Sequence, residues 1–106
     1  MAEAKRSADE NFERVSKLMP ELIAEIRTDL LSNKEHVLRE FVILHNERLR
    51  FNHDKPRIEL YESKLPAAKN QVAVLVSAGY VSVVRATDIP IYRLEEHFVA
   101  KLENAA

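Results

Sequence analysis

The sequence predicts an α+β, mostly helical domain on three observations. Apolar residues recur at alternating steps of three and four through the first half of the chain, the spacing that gathers them on one face of a helix. Further on, YVSVV and IPIYRL concentrate β-branched and aromatic residues on either side of the short connection RATD, the pattern of an antiparallel strand pair. A length of 106 residues, 46% of them hydrophobic and 31% charged, fits one domain with enough apolar surface to offset the entropy of ordering the chain.

Each element has its own warrant. Ser7 followed by Glu10 has capping-box spacing and predicts a helix from about Ala8, because hydroxyl and carboxylate can satisfy the free donors of a first turn. Phe12, Val15, Met19, Leu22 and Ile26 form its apolar stripe, broadened by Leu18, Ile23, Leu30 and Leu31. Pro20 interrupts the stripe; a proline has no N–H and suits a first helical turn, so the segment is either two helices meeting near Met19 or one kinked helix. Ser32 and Glu35 repeat the capping spacing ahead of Val37, Leu38, Phe41, Val42, Leu44 and Leu49, which predicts a third helix ending near Phe51. Next, NHDKP has turn chemistry, and residues 58–64 suit a short strand or a short helix equally. Pro66 and the stripe Ala68, Val72, Leu75 and Val76 predict a helix over Ala67–Ala78, with Gly79, the only glycine, as its left-handed cap. The strand pair follows, and Leu94, Phe98 and Leu102 predict a closing helix.

Several function classes are disfavoured by composition. No apolar run reaches the length of a membrane span and the start MAEAKRSADE lacks a signal-peptide core, so a cytoplasmic protein is expected. Zero cysteines exclude disulfides, thiolate catalysis and sulfur-ligated zinc. His36 with Glu40, and His45 with His53 and Asp54, match no ligand motif, and His97 reads as a surface histidine. One glycine precludes a phosphate-cradling loop. No nucleophile has a base beside it, so no enzyme, metal or cofactor is expected. A net charge of −1 argues against strong non-specific nucleic-acid binding. The charge is uneven, however: residues 1–36 hold six basic and eight acidic side chains and residues 37–93 nine and six.

The stretch LVSAGYVSVVRATDIPIYRLEEHF, where a helix ends at glycine and a strand, loop, Tyr-Arg-Leu strand and helix follow, resembles the winged helix-turn-helix superfamily. The resemblance runs over about residues 37–98. It implies one domain over 1–106: an N-terminal helical extension at 7–31, a winged-helix core with a two-stranded wing at 32–98, and a C-terminal helix at 95–104. It further implies a small homodimeric transcriptional regulator that binds double-stranded DNA through the Ala67–Ala78 helix.

On that reading Lys69, Asn70 and Gln71 meet the major groove, while Arg48, Arg50, Lys55, Arg57, Arg85 and Arg93 lie on phosphates. Phe12, Val15, Met19, Leu22 and Ile26 would form the dimer interface. The helix itself is bland: Ala67, Asn70, Val74 and Ser77 point outward, Lys69 lies nearer the buried edge, and no arginine is present to read guanine. The wing tip, Asp88-Ile89-Pro90, suits a protein contact equally. A protein-interaction or assembly module of winged-helix shape is therefore the second expectation, with no membrane role in either case.

Overall fold

Proline and glycine punctuate the chain at two of its element boundaries, and long-range pairing decides the rest. A computed structural model describes residues 2–32, 37–51 and 53–104, with side chains from residue 10 onward. Along the described residues run α1 (Ala2–Leu18), α2 (Pro20–Ser32), β1 (Glu40–Leu44), β2 (Ile58–Tyr61), α3 (Ala68–Ser77), β3 (Val81–Arg85), β4 (Ile91–Leu94) and α4 (Glu96–Asn104). The fold is α+β, with four helices and a mixed four-stranded sheet of order β2-β1-β4-β3. No described helix is long and apolar enough to cross a membrane.

Pro20 opens α2 directly after Met19, so the interrupted stripe resolves into two helices. Helical bonding continues across the join, with Met19 N–H donating to Val15 O and Ile23 N–H to Met19 O, both at 3.1 Å. The first helix starts at Ala2 rather than near Ala8, which places Ser7 and Glu10 inside it instead of at its cap. Ser32 is not a cap either: its hydroxyl donates to Thr28 O at 2.6 Å, within the last turn of α2. Glu35, its expected partner, lies outside the described residues.

The third helix expected over 37–51 is a correction. Residues 40–44 are a strand, and residues 45–51 and 53–57 are irregular backbone with bends and one turn at 47–48. Every residue of β1 is buried, because it lies between parallel β2 and antiparallel β4 with both faces covered. A strand covered on both faces is apolar at consecutive positions, and such a run satisfies a helical spacing template as readily as a strand one. β2, not a helix, precedes α3 in the chain.

All four helices cover one sheet face. Val15, Met19, Leu22, Ile26, Phe41, Ile43, Leu60, Val72, Leu75, Leu94, Phe98 and Leu102 belong to one buried cluster, with Phe12 packed against it. The five residues expected at a dimer interface thus fill this chain's own core. Val15, Met19, Leu22 and Ile26 are buried in that cluster and Phe12 is half-buried against it. On the opposite face the 45–57 connection folds back, and Phe51, Tyr61 and Ile89 pack on Val42, Leu44 and Ile91.

α3 ends as expected. Tyr80 N–H donates to Leu75 O at 3.0 Å and Gly79 N–H to Val76 O at 3.1 Å, the paired bonds of a Schellman cap. Gly79 holds φ +82, and a Cβ there would meet nothing within 4 Å. Gly79→Ala therefore tests backbone strain alone. A loss of about 1–2 kcal/mol in denaturant unfolding, with an unchanged fold, is expected.

Candidate functional site

An apolar hollow lies at one end of the sheet. β1 and β2 run on past their last pairs, with Glu62 N–H donating to Leu44 O at 2.8 Å and Ser63 N–H to His45 O at 3.0 Å. The chain then turns through Leu65 into α3. This places Glu62 beside the first turn of α3, where Lys69 Nζ stands 3.5 Å from its carboxylate. The 86–90 loop closes the far side. Between them is a pocket of about 330 Å³ with apolar walls of Ile43, Leu49, Ile89, Pro90 and Tyr92 and a rim of His45, Glu62, Lys69 and Asp88. Its walls are braced: the Tyr92 ring stacks on Phe41 at 5.1 Å, and Thr87 Oγ donates to Ile89 O at 2.9 Å, which fixes the loop.

A second feature, a chain of charges, occupies the sheet face away from the helices. Glu40 is the buried acid of β1; its Oε1 accepts from Arg57 Nε at 2.9 Å and its Oε2 lies 2.7 Å from Lys55 Nζ. Arg57 also reaches Asp54 at 2.8 Å. The two central side chains keep only 9% (Glu40) and 5% (Arg57) of their surface exposed. Burial penalises the Glu40 carboxylate, yet hydrogen bonds and charges from Lys55 and Arg57 outweigh it and hold its pKa below the ordinary value. Arg57 likewise loses solvation, and Glu40 and Asp54 more than restore its charged form.

The chain of charges continues to His53, whose Nε2 is 3.0 Å from Glu59 Oε2 and whose Nδ1 is 3.5 Å from Arg57 Nη1. A guanidinium can only donate, so Nδ1 accepts and the neutral ring carries its proton on Nε2, toward Glu59. Tyr61 donates to Glu59 Oε1 at 2.9 Å, and burial, then this bond, push the phenol up to about 12. The arrangement rivets the connection between β1 and β2 to those two strands. Among the described residues no group of three His, Asp or Glu side chains could hold a metal ion.

The residues expected to touch DNA are not brought to one surface. Lys69 and Asn70 are exposed on α3 and Gln71 is half-buried; Lys69 stands clear of the buried edge to which its spacing assigned it. Arg93 alternates with Tyr92 and Leu94, which face the helices, so its side chain lies on the opposite face, in register with Glu40 and Ser82. The sheet therefore separates it from the α3 residues. Arg57 is a correction: Glu40 and Asp54 engage it and it is too buried to meet a phosphate, whereas Lys55 lies beside Glu40 with its side chain half-exposed. Arg48 and Arg50 in the 45–57 connection and Arg85 at the end of β3 are exposed, without an ion pair among the described residues. The pocket walls went unnoticed in the sequence, Ile89 and Pro90 apart, because Ile43, Leu49 and Tyr92 come from three elements that only the fold assembles.

No family model, no curated protein and no solved structure matches this chain.

Proposed function

We propose that the protein is an interaction module that captures a bulky apolar side chain of a partner protein in the pocket between α3 and the 86–90 loop. The observation that carries this reading is the make-up of that pocket, five apolar walls inside a charged rim. An apolar centre with a polar rim is the anatomy of a protein interface, in which one seated side chain supplies most of the affinity. A net charge of −1 and the separation of Arg93 from Lys69 and Asn70 support a protein partner over a polyanion. The winged-helix likeness enters through the order α3, β3, loop, β4, α4, a shape compatible with either partner. In this reading Lys69 is a rim residue, not a reader of bases.

The test is a displayed library of short segments selected on the protein and counter-selected on Ile89→Asp and on Leu49→Asp. Leu49 is half-exposed, so its variant keeps the fold if the other does not. Enriched segments should share one bulky apolar residue and bind either variant at least about thirtyfold more weakly, the cost of losing a hot-spot contact. Segments that bind variants and wild type alike would overturn the reading. Duplex DNA at low salt should show no binding up to about 100 μM, the weak end of the non-specific range; binding there would favour the regulator instead.

A further inference from the structure

At the other end of β1 lies a smaller, polar pocket of about 130 Å³, lined by Val37, Arg39, Glu40, Lys55, Pro56 and Arg93. Three cationic residues thus face one acid. Both oxygens of that acid are already engaged, Oε1 by Arg57 and Oε2 by Lys55, so Glu40 sits in the floor as a neutralised group. Arg39 is held back by Glu96, with its Nε 2.7 Å from Oε2, and donates through Nη1 to Leu38 O at 3.0 Å. Arg93 differs: it is exposed and has no ion pair among the described residues, although Glu40 is its strand neighbour in register.

The geometry points to this pocket as a binding site for a small oxyanion, a phosphate or a carboxylate, gripped by the Arg93 guanidinium with the Lys55 ammonium beside it. A guanidinium presents two parallel N–H donors that match two oxygens of either group, and such charge-assisted pairs are about twice as strong as neutral ones. The ammonium of Lys55 has three donors and gives one to Glu40, so two remain. The small volume admits one oxyanion head and excludes a nucleotide. The site is independent of the apolar pocket, which lies beyond the opposite end of β1.

Inorganic phosphate and acetate are the probes, titrated separately against the intact protein while the Arg93 Nε–H resonance is followed in the wild type and the backbone amide resonances of Arg39, Glu40 and Lys55 in both wild type and variant, with sodium chloride at matched ionic strength as reference. The resonances should shift saturably at millimolar concentration, and Arg93→Gln, an exposed change that leaves the fold intact, should weaken binding about tenfold, as loss of one charge-assisted contact predicts. Saturation by phosphate alone would assign a phosphoryl ligand, and saturation by both a carboxylate as well; either supports the site. A shift no larger than that with chloride, or equal affinity in Arg93→Gln, would overturn it.

Discussion

Phe98→Ala is expected to cost about 3–5 kcal/mol, the range for truncating a fully buried phenylalanine, and to leave the domain largely unfolded at 37 °C. The reason lies in what the ring joins. Phe98 is fully buried on α4, stacks on Tyr80 at 4.9 Å and meets the edge of Phe12 at 6.1 Å. Phe12 in turn stands at a right angle to Tyr80 at 6.3 Å. One side chain therefore ties together α4, α1 and the turn that leads from α3 into β3. Its removal forfeits the transfer free energy of the ring and leaves a cavity that three elements cannot close together. Chemical denaturation of Phe98→Ala and Phe98→Leu checks this, with the leucine variant retaining a good part of the stability.

Glu40→Gln should be the most damaging single change on the opposite face, at about 2–3 kcal/mol. That is below the range for breaking a fully buried ion pair, because the adjoining pocket admits water. The amide keeps the volume and one acceptor but leaves Arg57 with Asp54 alone and Lys55 with no charge to meet. A Glu40→Gln/Arg57→Met double variant should recover part of the loss, since removing both partners leaves no orphaned charge. The sign of the pH dependence follows from the lowered pKa of Glu40. Its contribution is fully present above the ordinary glutamate value and is lost as pH falls through the lower folded value. Wild-type stability should drop in that acid window, and Glu40→Gln should show a shallower drop there, as measured by urea unfolding at stepped pH.

Legibility in the sequence followed the range of the interaction that fixes each element. α3, β3, β4 and α4 are written locally. Gly79 sets the cap, Val81, Val83 and Val84 favour an extended backbone, and Leu94, Phe98 and Leu102 mark one helix face. Pro20 placed the boundary between α1 and α2 for the same reason. β1 was illegible because its identity rests on pairing with residues 17 or more positions away, as in Val42↔Glu59 and Val42↔Ile91. Once β1 is a strand, the stripe of α1 and α2 has a sheet to cover. The charges show the same limit. Glu40 and Arg57 lie 17 residues apart, with no spacing rule to connect them, so the ion-pair network that takes in Lys55 and Arg57 and leaves Arg48 and Arg50 outside was not legible.

The apolar concavity on the surface that carries the proposed function is the pocket lined by Ile43, Leu49 and Ile89. Pockets that seat a partner's apolar side chain also take up small apolar molecules, because the same desolvated walls drive both. Indole titrated into the protein, with the methyl resonances followed, is accordingly the most direct test. The methyls of Ile43, Leu49 and Ile89 should shift together and saturate, and the response should vanish in Ile89→Asp. Shifts that never saturate, or that gather instead on the exposed Val83 and Val84 of β3, would contradict the assignment of this pocket as the docking site.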